Sequence, residues 1–291
     1  MRLRQFISIS IVLIIVASCG APKVLVTDKQ NAEIAVAQGN YTAAVQAWEQ
    51  YFQKTPVENV AGVDFASAAK AAYKSGNSSQ ATSWFDQARY KNYSDSEMYI
   101  ILAEIARKQS NISKELTALE FIKAHFPGQS NKINARLLEI YSEIKEPEKA
   151  LQVWKDMDTA EKSNESNMLL YFKLKKSLND TLACDSVSQV LLKLNPNQVD
   201  ALEWNATKFY WQGENRYERE MKKYNENKTM RQYNILLKEL KLSTADFKKA
   251  LTYFEKLWKM DPGKKYASYF ANIYARFGDE NKVKFYQKYL N

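Results

Sequence analysis

Apolar side chains recur every three to four positions along this chain from Asn31 onward, and short polar stretches interrupt them at regular intervals. That rhythm predicts paired helices. Residues 32–38 pair with 42–54 across Gly39-Asn40-Tyr41, and residues 64–74 with 79–91 across Ser75-Gly76-Asn77; a glycine supplies the permissive backbone in each turn. A third pair joins 97–108 to 113–125. A fourth joins 133–144 to 147–157, with Pro147 at a helix start, where its missing N–H costs nothing. A fifth runs from about Met168 to Leu194 and stops at Pro196. Residues 199–226 then read as one long helix, followed by a second over 230–242. Ser243-Thr244-Ala245-Asp246 has the spacing of a capping box, so a new helix is expected from Asp246 to Met260. Residues 266–277 and 280–290 close the chain around Gly278-Asp279.

Within the second helix of most pairs, an alanine is followed four residues later by a large aromatic: Ala44 and Trp48, Ala81 and Phe85, Ala150 and Trp154, Ala250 and Phe254. The small residue lets two helices approach, and the aromatic one turn later fills the gap between hairpins. Glu115 and Cys184 occupy the alanine position in the third and fifth pairs. The anchors Ala44, Ala81, Glu115, Ala150 and Cys184 are 37, 34, 35 and 34 residues apart. This spacing resembles the tetratricopeptide-repeat (TPR) family, whose period is about 34 residues and whose members bind other proteins. The resemblance implies an all-α, right-handed solenoid of about five hairpins over residues 31–198, a variant long-helix segment over 199–242, and a hairpin with capping helices over 243–291. It also implies binding through first-helix side chains that line a concave face. Carried over residue by residue, these are Lys70, Tyr73 and Lys74, then Glu104, Arg107 and Lys108, then Glu139 and Glu143.

The first 18 residues have a different character. Arg2 and Arg4 precede an apolar run over 6–16 that ends in Val16-Ala17-Ser18-Cys19. A charged start, a short apolar run and small residues before a cut make a secretory signal. The run is well short of the roughly 20 residues that span a bilayer. Val-Ala-Ser-Cys resembles the bacterial lipobox, which implies cleavage before Cys19, acylation of its thiol by palmitate-type chains, and a tether over 19–30. Gly20 in place of aspartate implies the outer membrane, with the folded body facing the periplasm rather than the cell exterior.

Charge changes the picture only at the C-terminal end. The net charge is +9, or +7 once Arg2 and Arg4 are removed with the leader. The 21 basic and 21 acidic residues over 20–198 cancel, whereas 199–291 carries 19 basic and 12 acidic. Such an excess suits an acidic protein surface or anionic lipid; an exported lipoprotein would not meet chromosomal DNA, so nucleic acid is not expected as a partner. Tyr210, Trp211, Tyr217, Tyr224 and Tyr233 lie among Arg216, Arg219, Lys222, Lys223, Lys228 and Arg231, a mixture suited to anchoring a partner or to a self-packing helix pair with snorkelling lysines. Candidate contacts in this stretch are Tyr210, Trp211, Arg216, Tyr217, Arg219, Lys222, Lys223 and Arg231.

The chemistry of catalysis is sparse. His125 is the only histidine, at a predicted helix end where an imidazole caps carbonyls, and Cys184 is the only cysteine after Cys19. One of each forms no His/Cys metal cluster, and the 8 glycines are scattered over turns rather than gathered in a phosphate loop. No cofactor, metal or catalytic role is expected. The function expected is therefore a non-catalytic scaffold in an envelope assembly or secretion complex. The alternative is a carrier-associated glycan-binding lipoprotein that uses exposed aromatics.

Overall fold

The computed structural model describes residues 27–290, which form fifteen α-helices and no strand among the described residues. The pairs arise from a recurring local device. A residue with left-handed backbone is followed at once by the residue that caps the next helix: Gly39-Asn40, Gly76-Asn77, Ser110-Asn111, Lys145-Glu146, Asn179-Asp180 and Gly278-Asp279. In five of the six the Asn or Asp side chain accepts a hydrogen bond from the backbone N–H three residues on, satisfying a donor the helix start would otherwise leave open. Glu146 makes no such bond; Pro147 at the first helical position takes away one other open donor, its own N–H.

The chain divides into two compact units between Gln109 and Ser110, inside the third predicted hairpin. The first unit holds α1 (Asp28–Ala37), α2 (Tyr41–Lys54), α3 (Gly62–Lys74), α4 (Ser78–Tyr90) and α5 (Ser96–Lys108). Helix α1 begins at Asp28, inside the stretch expected as tether, with Thr27 and Gln30 forming a capping box. Alanines make up most of the buried face of α3, which lets α4 pack closely with Trp84 and Phe85. Phe52 stacks on Phe65 at 4.6 Å and meets Trp84 edge-on at 5.4 Å, joining the first hairpin to the second. Gly62 is demanded by proximity: a Cβ there would lie 2.5 Å from the Cβ of Tyr93.

The second unit holds α6 (Ile112–His125), α7 (Ser130–Glu143), α8 (Pro147–Asp156), the one-turn α9 (Thr159–Ser163), α10 (Glu165–Ser177), α11 (Thr181–Leu194), α12 (Val199–Glu226), α13 (Met230–Met260), α14 (Lys264–Phe277) and α15 (Glu280–Gln287). Glu115 in the alanine position of α6 is buried and receives two hydrogen bonds from Arg136 of α7, at 2.6 and 2.7 Å. Cys184 and Ala250 fill their small-residue positions with no exposed surface, and burial pushes the Cys184 thiol above its ordinary pKa. Phe254 is fully buried one turn after Ala250, worth about 1.5–3 kcal/mol.

The helix expected to start at Asp246 does not exist as a separate element, because α13 runs unbroken for 31 residues. Ser243 is not a cap: its hydroxyl donates to the carbonyl of Gly213 on α12 at 2.8 Å. Gly213 lets Phe247 lie against the α12 backbone at the same level, since a Cβ there would stand 3.1 Å from the Phe247 ring. With no glycine or proline nearby, nothing stops the helix. Helices α12 and α13 therefore form one long hairpin, about 42 Å and 46 Å in length against about 21 Å for α11 and α14. No helix among the described residues is long and apolar enough to cross a membrane.

Candidate functional site

In the first unit, first-helix side chains from three successive hairpins converge. Glu33 and Val36 from α1, Ser67, Lys70, Ala71 and Lys74 from α3, and Glu97 from α5 line a cavity of about 300 Å³, with Tyr41 and Trp48 of α2 beside them. Lys70 is its electrostatic hinge, bonded to Asp95 at 2.8 Å and Glu97 at 2.9 Å. Burial disfavours the Lys70 ammonium, yet these two carboxylates outweigh it and the net shift is upward. Asp95 also accepts from the Met98 N–H at 2.7 Å and the Tyr93 hydroxyl at 2.9 Å, so one carboxylate starts α5 and holds Lys70. Burial would raise the Asp95 carboxyl, but these bonds hold it below its ordinary pKa. The ammonium of Lys74 lies 5.3 Å from the Tyr41 ring centre, with no acidic partner among the described residues. The indole N–H of Trp48 is buried without an acceptor among the described residues.

Tyr73 continues this face. Its hydroxyl donates to Glu104 at 2.6 Å and accepts from Lys108 at 3.0 Å, whose ammonium lies 4.6 Å from the same ring centre. The structure thus brings together five of the residues expected from the resemblance, Lys70, Tyr73, Lys74, Glu104 and Lys108. Arg107 is exposed and outside this network. The sequence reading missed Glu33 and Val36. The 37-residue spacing from Ala44 to Ala81, counted back from Lys70, falls on Glu33.

In the second unit, Glu139 is exposed and bonded to Arg136 at 2.7 Å, and Glu143 is exposed one turn further along α7. His125 ends α6 as expected, Nδ1 lying 3.0 Å from the Phe121 carbonyl.

The aromatic and basic residues of α12 and α13 separate into two groups. Tyr210 is not a surface residue: it is 4 % exposed, its hydroxyl accepts from Asn272 at 3.1 Å, and its ring meets Tyr269 at 4.9 Å. It follows Leu202 and Ala206 on the helix face turned to the core. Arg216 is spent on Glu239 at 2.7 Å and Asp246 at 3.5 Å, and Tyr217 lies under the Arg276 guanidinium at 3.9 Å. Arg219 and Lys223 share Glu220. Trp211, Lys222 and Arg231 remain exposed. No group of three or more His, Cys, Asp or Glu side chains among the described residues is arranged to hold a metal ion.

No family model and no curated protein matches the sequence. The fold does have solved counterparts. The C-terminal part of a TPR repeat-containing protein from Cytophaga hutchinsonii superposes with a TM-score of 0.52 at 13 % identity, covering 90 % of this chain and 93 % of that one. The class is thus an all-α, TPR-like fold of helical hairpins. A tetratricopeptide repeat protein from Parabacteroides merdae, at 11 % identity and 90 % coverage of each chain, reaches 0.46. A TPR protein from Bacteroides fragilis, at 18 % identity with 88 % of this chain and 96 % of that one covered, reaches 0.34, and neither of these two scores adds to the argument.

Proposed function

We propose that this protein is a non-catalytic protein–protein interaction scaffold whose first unit receives a segment of a partner protein in the groove lined by α1, α3 and α5. The carrying observation is the convergence of side chains from three successive first helices on one cavity. Such a surface is built by repetition, and it offers a peptide two kinds of contact. Val36 and the half-buried Tyr41 ring supply apolar area, while Lys74 and Glu33 supply charged groups. We further propose acylation at Cys19, which lies outside the described residues, with anchoring in the outer membrane and the body facing the periplasm. The partner is then an envelope protein of an assembly or secretion complex.

Crosslinking in native membranes, followed by mass spectrometry, tests both parts. Val36→Trp combined with Lys74→Glu alters two exposed groove residues and should remove partners that the wild type captures, with helicity unchanged. An unchanged partner set would sink the groove. Cys19→Ala should release the protein from the detergent phase; continued partitioning would sink the anchor alone.

A further inference from the structure

Helix α14 lies along the α12–α13 hairpin for only part of its length. On α12 one series of its contacts steps by seven residues: Lys265 and Tyr266 on Glu203, Asn272 and Tyr269 on Tyr210, Arg276 on Tyr217; Arg276 also pairs with Glu214 between the last two steps. On α13 it meets Trp258, Phe254 and, at its last turn, Phe247. Then α14 stops at the left-handed Gly278. The two faces it was using do not stop. Seven residues beyond Tyr217 is Tyr224, and seven steps from Phe247 give Leu240 and Tyr233, with Leu237 and Met230 on the series that descends from Trp258.

At this level Tyr224 and Tyr233 meet at 5.8 Å across the hairpin, and Tyr233, Leu237 and Met230 are 41, 42 and 74 % exposed. The seat of α14 thus continues for about 15 Å toward the hairpin tip, from Tyr217 to Asn227, with no further helix laid along it among the described residues. Its two rims differ in charge. On the α13 side Arg231, Lys238 and Lys241, with Lys228 in the loop just before it, are exposed with no acidic partner among the described residues; the α12 side is mixed, with Glu218 and Glu226 beside the exposed Lys222.

We infer that this distal groove docks one amphipathic α-helix of a partner protein, in line with α14, with acidic residues on the edge that faces α13. The continuity with the α14 seat supplies the shape, and the unpartnered cations supply the sign of the charge. This surface lies on the second unit and stands independently of the groove proposed on the first.

The test uses the full-length protein and two synthetic 14-residue helices with leucine at i, i+3, i+7 and i+10, one flanked by glutamate and the other by lysine. Fluorescence anisotropy should show the glutamate peptide bound at least about tenfold more tightly than the lysine peptide. Leu237→Asp should weaken it about tenfold, and Lys238→Glu with Lys241→Glu should weaken it and flatten its salt dependence. Both variants replace exposed side chains, so circular dichroism should be unchanged. Equal binding by the wild type and both variants, preference for the lysine peptide, or no measurable binding would overturn the inference. So would phosphatidylglycerol vesicles or a second copy of the chain proving to be the occupant, read as vesicle sedimentation or self-association that Leu237→Asp abolishes.

Discussion

Removing the guanidinium of Arg136 will cost more than removing the carboxylate it holds. The Glu115 side chain is 3 % exposed and Arg136 is 20 % exposed, with Glu139 as a second partner at 2.7 Å. In Arg136→Met the buried carboxylate loses both of its short hydrogen bonds and has no other ion-pair partner among the described residues. Breaking a buried pair from that side costs about 3–5 kcal/mol. In Glu115→Ala the guanidinium keeps Glu139 and its access to water, and alanine is the size this position has in the other hairpins, so about 1.5–3 kcal/mol is expected. Replacing both partners should leave the protein closer to wild type than either single change. Urea unfolding of the four proteins at pH 8 measures these differences. Equal losses, or a larger loss for Glu115→Ala, would refute the reasoning.

Gly62→Ala should destabilise the first unit by about 1–3 kcal/mol in thermal melts, although alanine is the better helix former by up to about 1 kcal/mol, because the new Cβ meets Tyr93 at 2.5 Å. Burial, then the hydrogen bond to Glu203, pushes the Tyr266 hydroxyl up to about 12. The folded state therefore holds this proton where the unfolded chain loses it. Stability from the contact is complete below about pH 10 and lost as pH rises through 12. The difference between the ultraviolet titrations of wild type and Tyr266→Phe should accordingly show its midpoint near 12 rather than 10.

The hairpins were legible because their signals are local and redundant: a small residue, an aromatic one turn later, and a Gly or Asn beside four of the six caps. The continuous α13 was not, because Ser-Thr-Ala-Asp has the same spacing whether it caps a helix or lies inside one. Only Gly213, 30 residues away, decides what the Ser243 hydroxyl does. The converse happened at Asp158, where the same spacing to Glu161 does cap the one-turn α9 that the periodicity alone passed over. Tyr210 was assigned by the lysines and arginines near it in sequence, whereas its burial follows from Ala206 and Leu202, one and two turns earlier. The groove of the first unit was half visible. Repeat spacing placed Lys70 and Lys74 of α3, but Glu97, the α5 residue of the cavity, and the pairing of Lys70 with it and Asp95 depend on where α5 begins.

The seven-residue stepping of contacts along α12 and α13 makes the length of this hairpin a discrete variable. An insertion of seven residues in each helix, on either side of Asn227, would move the tip outward by about 10 Å and return every side chain to nearly the same face. An insertion of one, two, five or six residues would turn the tyrosines and lysines of the tip away from the groove. Relatives of this protein are therefore expected to differ in this hairpin by matched increments of seven, with a reach that grows in steps while the base around Gly213 and Phe247 stays as it is.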